Sequence, residues 1–294
     1  MPELHPQWQL SVATALVLVL VYAGTRRSQR PRLRTLAAFS REFALVLALL
    51  AVWQLVGGSV ITRADGALER GRAVWQVERW AHLWSEVDLQ RLVLPHPALV
   101  AAADRYYEYA HLTGMAVFLV AVWWSRRSLY PSLRLTVVLA TLACLLVQVV
   151  PVAPPRLLPG LGFVDTALVR GESVYGPYGT GLSNQLSAMP SVHVAWATIV
   201  AVFVWRAGGP LLRGLGVVHL ALTVTAVVVT ANHWWLDGVV AAVLVAAALS
   251  ASEAWYRRPQ PGDGRMAPWP TALASRPPSP SGSSSPPGPG PSAS

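Results

Sequence analysis

Apolar residues fill seven stretches of the chain with few charges among them: about 8–24, 42–62, 108–125, 133–152, 191–207, 211–231 and 234–252. A bilayer's hydrocarbon core, about 30 Å thick, is crossed by roughly 20 apolar helical residues, and each stretch reaches or nearly reaches that length. The pattern predicts an all-α fold, a polytopic transmembrane helical bundle of about seven spans. The first stretch lacks the basic flank of a signal peptide. Only Glu3 and His5 precede it and its arginines follow, so it reads as a span entering from outside. Between the second and third spans, Ala73, Val77, Trp80, Trp84 and Val87 recur at 4-3-4-3 spacing. That predicts an amphipathic helix over 72–92, lying in the membrane interface or covering the bundle. Residues 259–294 are rich in Pro, Ser and Gly, a composition expected to stay disordered. The organisation expected is an N-terminal two-span region (1–62), an interfacial amphipathic segment (63–107), a helical core (108–252) and a disordered tail (253–294).

Composition agrees with the pattern. Of 294 residues, 53% are hydrophobic and 13% charged, whereas soluble domains carry about 25% charged residues. All 23 basic residues are arginine. The net charge of +9 would suit nucleic acid, but its distribution does not. With the N-terminus outside, fifteen arginines and three acids fall on the inner side, net +12. Eight arginines and eleven acids fall on the outer side, net −3. The positive-inside rule therefore predicts an N-out, C-in protein whose basic face meets anionic lipid, with no nucleic-acid partner. The single cysteine, Cys144, excludes an internal disulfide and a cysteine metal site. Trp8, Trp123, Trp124, Trp205, Trp234, Trp235 and Trp255 lie near span ends and read as an aromatic belt.

Three short motifs then meet on the predicted outer side. His233 and Asp237, in Asn-His-Trp-Trp-Leu-Asp (232–237), are one helical turn apart. The carboxylate can hold one imidazole nitrogen and leave the other unprotonated, the logic of an oriented nucleophile. Ser191 and His193, in Met-Pro-Ser-Val-His (189–193), open the fifth span. There a helix N-terminus and a hydroxyl favour an anion, and an imidazole can protonate a leaving oxygen. Arg156, stiffened by Pro154 and Pro155, can grip phosphate oxygens bidentately. Each alone has a plainer role: a helix-start salt bridge, a capping serine beside a lone histidine, a headgroup-binding arginine. Together they are the inventory for moving a phosphoryl group through a histidine. His219, mid-helix, reads as structural. His111 starts the third span on the outer side, where it would line the site, and Asp165 would order its loop. No metal-ligand set and no cofactor motif is evident.

At these motifs the chain resembles the type-2 phosphatidic acid phosphatase superfamily. It is most similar to the inositol phosphorylceramide synthase-like (inositolphosphotransferase) branch, with its Pro-Pro-Arg, Phe-x-Asp-Thr, Met-Pro-Ser-x-His and Asn-His-x3-Asp segments. The resemblance covers roughly 78–252. It implies a six-helix phosphatase-like core with an added N-terminal span and a metal-independent phosphatase or phosphotransferase without cofactors. It also implies a lipid-linked phosphate as substrate. His233 would become phosphohistidine, Asp237 would orient it, His193 would protonate the leaving group, and Arg156 and Ser191 would hold the phosphate. The site would face the extracytoplasmic side of the plasma membrane. The chain departs from the superfamily pattern where a lysine would align with Val149, a proline with Leu157, a glycine with Val192, and Ser-Arg with Ala226 and Val227. Two cationic phosphate contacts are thus missing, which argues against simple phosphomonoester hydrolysis. It keeps open a non-catalytic protein that binds or transports lipid phosphate.

Overall fold

A computed structural model describes residues 7–60, 65–170 and 185–257. Of the described residues 79% are helical and none forms a strand, so the fold is that of an all-α membrane protein. Residues 1–253 form one compact unit. Of the second, 254–294, only the end of the last helix is described: residues 253–257 of the expected disordered tail are helical, and 258–294 lie outside the described residues.

The elements run α1 (Gln7–Thr25), α2 (Pro31–Val60), α3 (Ala67–Trp80), α4 (Glu86–Val93) and α5 (Pro97–Arg105). A π-helical turn (Tyr106–Ala110) leads into α6 (His111–Ser125), followed by α7 (Tyr130–Gln148), a 3₁₀ turn (Pro155–Leu157) and α8 (Thr166–Val169). The chain ends with α9 (Val192–Ala207), α10 (Pro210–Val229) and α11 (Trp235–Arg257). Five segments are long and apolar enough to cross a membrane: Trp8–Thr25, Pro31–Val52, Tyr130–Gln148, Pro210–Val229 and Trp235–Arg257. The apolar runs of α6 and α9, Thr113–Ser125 and Val192–Ala207, are shorter. Each of the seven apolar stretches overlaps a helix over its described residues. The second begins earlier than its apolar stretch, at Pro31, a residue suited to a first helical turn.

The amphipathic stretch over 72–92 is two helices. His82 (φ 54°) closes α3 in the left-handed region. Its N–H bonds the Arg79 carbonyl and the Leu83 N–H bonds the Glu78 carbonyl, a Schellman ending. Ser85 then caps α4 by accepting the Asp88 N–H at 3.3 Å. The apolar stripe points outward: Val77, Trp80 and Trp84 are exposed while Gly71 and Glu78 are buried. Burial of the polar side and exposure of the apolar side suit a helix whose outer face meets lipid rather than water.

The main core lies among α6, α7, α9, α10 and α11, around Leu133, Ala140, Cys144, Ala195, Ile199, Val227 and Ala241. Small residues let these helices approach closely, as in membrane bundles generally. A second, smaller core of Ala67, Ala153, Leu158, Ala188 and Trp234 lies beneath the connecting segments. Trp234 is 1% exposed, so it belongs to this core and not to an aromatic belt. Its indole donates to the Ala153 carbonyl at 3.0 Å and meets Phe163 edge-on. Burying that N–H requires a partner, and the partner is the segment leading to Arg156.

Candidate active site

Backbone hydrogen bonds sew the three motifs together before any side chain acts. The Val152 N–H donates to the Leu186 carbonyl (2.7 Å), and the Ala188 N–H returns to the Val152 carbonyl (3.1 Å). The Arg156 N–H donates to Ala231 (3.0 Å) and the Ser191 N–H to Asp237 (3.3 Å). Gln148, at the end of α7, donates from Nε2 to the Pro190 carbonyl at 3.1 Å. The segments around residues 152–156, 186–191 and 231–237 therefore form one rigid corner, with their buried backbone groups paired as such groups must be.

The third motif sits on two helix ends. α10 ends in a second Schellman arrangement: the Asn232 N–H bonds Val227 and the Ala231 N–H bonds Val228. Ala231 occupies the left-handed region at φ 52°, a conformation an alanine holds only when its surroundings enforce it. Asp237 lies in the first turn of α11. Its Oδ2 accepts the Trp234 N–H at 2.8 Å, half of a capping box. The same oxygen lies 3.2 Å from His233 Nδ1, and Nδ1 is 2.7 Å from the Ala188 carbonyl. Both partners are acceptors, so this network assigns the proton of a neutral ring to Nδ1 and leaves Nε2 the lone-pair nitrogen. Nε2 is buried and has no hydrogen-bond partner among the described residues. An imidazole held at one nitrogen with the other unengaged can attack an electrophile.

His193 lies in the first turn of α9, with its ring centroid 5.5 Å from that of His233. Tyr107, from the π-helical turn, stacks on His193 at 4.2 Å and 19°, and lies 6.1 Å from His233. The same turn sends Tyr106 to α10, its hydroxyl 2.7 Å from His219 Nδ1 and 3.2 Å from Thr223 Oγ1. A π-bulge widens a helix locally, which is why successive tyrosines reach two different neighbours. Ser191 is fully buried and caps α9, accepting the Val194 N–H at 3.3 Å. Accepting that bond leaves its hydroxyl proton available for donation.

The Arg156 side chain is 2% exposed. Its Nε donates to Asn232 Oδ1 at 2.8 Å and its Nη1 to Asp165 Oδ2 at 3.0 Å. Asp165 also caps α8 by accepting the Leu168 N–H, so it orders its loop and aims the guanidinium together. Gln90 on α4 fixes the same loop. Its carboxamide pairs with both backbone groups of Val164 (2.9 Å each) and donates to the Val229 carbonyl at 3.0 Å. The structure thus brings His193, His233 and Asp237 into one cluster, with Ser191 bound through its N–H to Asp237 and Arg156 tied to Asn232, next to His233. The His111 side chain lies outside the described residues. Tyr107, Asn232 and the Ala188 carbonyl were not assigned from sequence. Only Asn232 had a signal there, its place beside His233. At the departures from the superfamily pattern, Val149 closes α7 half-exposed, while Ala226 and Val227 are buried in α10.

Fold and site together define a helical membrane protein with paired imidazoles beside a fixed guanidinium. A family model, the PAP2 superfamily, matches residues 72–251, more than half of the chain, and the chain belongs to that superfamily. Membership carries a phosphatase-type activity on lipid phosphate at the general level. No curated protein matches the chain, and no solved structure does.

Proposed function

We propose that the protein moves a phosphoryl-containing group from a membrane lipid through a covalent histidine intermediate. His233 Nε2 attacks phosphorus. The bond from phosphorus to the leaving oxygen breaks as His193 gives that oxygen a proton. Water or a second alcohol then attacks the phosphohistidine, His193 takes the incoming proton, and His233 leaves free. Asp237 and the Ala188 carbonyl hold His233 in the required tautomer throughout, while Arg156, Ser191 and the start of α9 stabilise the non-bridging oxygens. The carrying observation is His233 itself: Nδ1 bound twice, Nε2 buried without a partner, and a second imidazole 5.5 Å away.

The acceptor we favour is an alcohol of the inositol kind, giving headgroup transfer, as in the branch whose segments the chain resembles. The reading is supported by the apolar residues at Val149, Ala226 and Val227, which suit a phosphodiester monoanion better than a dianion. An extracytoplasmic site in the plasma membrane is supported by Arg134 and Arg206, which lie at the helix ends away from the histidines. The test uses purified protein with lipid phosphate substrates in EDTA, measuring released phosphate, followed by challenge of the trapped intermediate with inositol or with water. Turnover that survives both His233→Ala and His193→Ala would sink the mechanism. The same missing cations favour one other reading, a non-catalytic lipid-phosphate binder or transporter. It predicts tight lipid-phosphate binding without turnover, unaffected by Asp237→Asn.

A further inference from the structure

Behind the histidine–carboxylate pair lies a second, unassigned pair of acids. Glu78 on α3 and Glu86 on α4 are 0% and 1% exposed. Glu78 Oε1 accepts the Leu236 N–H at 2.8 Å, and Glu86 Oε2 accepts from Arg79 Nη2 at 3.1 Å. The remaining oxygens, Glu78 Oε2 and Glu86 Oε1, have no donor among the described residues. The Glu86 carboxyl lies close enough to Glu78 to push the Glu78 carboxyl upward. Burial and a neighbouring carboxyl both disfavour the charged form, so Glu78 keeps its proton.

Leu236 directly precedes Asp237, and its N–H is one of the helix-start donors that α11 cannot satisfy internally. Asp237 takes the Trp234 N–H, and Glu78 reaches in from another helix to take that of Leu236. We propose that the chain Arg79–Glu86–Glu78–Leu236 is a positioning clamp holding the first turn of α11 so that Asp237 keeps His233 aimed. The clamp rests on the reading of His233 as nucleophile. The charged or titratable groups facing Glu78 are Glu86 from α4, with Arg79 beyond it, and Asp237 from α11. Burial, and then the Glu86 carboxyl, push the Glu78 carboxyl up to about 9, so it remains neutral at physiological pH. A neutral Glu78 also keeps a further negative charge away from a site that must accept an anion.

The test is a set of pH–rate profiles on the full chain with a lipid phosphate substrate, for wild type, Glu78→Ala, Glu78→Gln and His233→Ala. Glu78→Ala should lower kcat by about 10–10²-fold, the scale of a small misplacement of reacting groups, with KM little changed. Glutamine can accept the Leu236 N–H and donate to Glu86. Wild type should lose rate near pH 9 as Glu78 ionises, whereas Glu78→Gln should recover most of the alanine variant's loss and lack that alkaline fall. A wild-type rate and alkaline limb in Glu78→Ala, or an unchanged limb in Glu78→Gln, overturns the clamp. If Glu78→Ala does not fold, the limb in Glu78→Gln decides alone. Turnover persisting in His233→Ala refutes the phosphohistidine reading instead, whereas a dead His233→Ala beside a wild-type Glu78→Ala refutes only the clamp.

Discussion

The two ends of the helix core carry opposite kinds of polar network. At one end Glu42 takes Arg134 (2.6 Å) and Arg41 (2.6 Å), Arg206 pairs with Glu253, and Ser132 bonds Ser252. Both Glu42 oxygens have donors, and Ser40 Oγ is the one buried polar atom beside them with no partner among the described residues. At the other end of α7, some 28 Å away at 1.5 Å per residue over 19 residues, the carboxyl oxygens outnumber their donors. His233 Nε2, Asp237 Oδ1, Glu78 Oε2 and Glu86 Oε1 are buried with no partner among the described residues. Buried polar atoms are nearly always paired, because an unpaired one costs free energy. A satisfied network holds helices together, whereas an unsatisfied one marks the place where structure is held ready for something else.

Mutations at the two ends should therefore separate rate from stability. The largest effect belongs to His233→Ala, with kcat falling by on the order of 10⁶-fold as for loss of a nucleophile. His193→Ala should cost about 10²–10⁴-fold, the range for a general acid. Thermal unfolding in detergent should change little in either. Arg156→Lys should lower kcat by about 10²–10³-fold, because an ammonium cannot meet Asn232, Asp165 and an anion with one planar fork. Glu42→Ala should do the reverse, costing about 2–3 kcal/mol of stability, toward the low side for a broken buried pair because Arg41 is half exposed. Its kcat in folded protein should match wild type. Gly71→Ala is the mildest test. Its new Cβ would meet the Ala153 carbonyl oxygen at 2.7 Å, lifting α3 from the corner that carries Arg156. A loss of about 1–3 kcal/mol is expected from such overpacking, read as a lower midpoint of thermal unfolding. A Glu42→Ala variant as slow as His193→Ala would erase the contrast.

What the sequence made legible follows from what is local. The four-residue spacing of His233 and Asp237 predicted their contact, and it forms at 3.2 Å. Proline and serine at 190–191 predicted the start of α9, which begins at Val192 with Ser191 as its cap. Contacts between distant segments left no such trace. The Ala188 carbonyl that fixes the His233 tautomer is a backbone atom of a loop, and no residue type encodes it. Tyr107 reaches His193 only because a π-turn interrupts the helix there. The stripe of Ala73, Val77, Trp80 and Trp84 was visible, but periodicity names a face without saying which side of it meets the protein. The buried side is the one with Glu78, so the acids behind the site were hidden among apparently solvated charges. Trp234 was misplaced for the same reason: a tryptophan near a span end can anchor in lipid or cap an inner core, and only the Ala153 carbonyl decides.

The most direct measurement is rapid quenching of the enzyme with a lipid substrate labelled at phosphorus, followed by mass-spectrometric mapping of the labelled residue. An acid-labile, alkali-stable phosphoryl adduct on His233, absent from His233→Ala and discharged by adding an alcohol acceptor or water, is the predicted result. Turnover with the adduct on another residue, or undiminished turnover in His233→Ala, would contradict it.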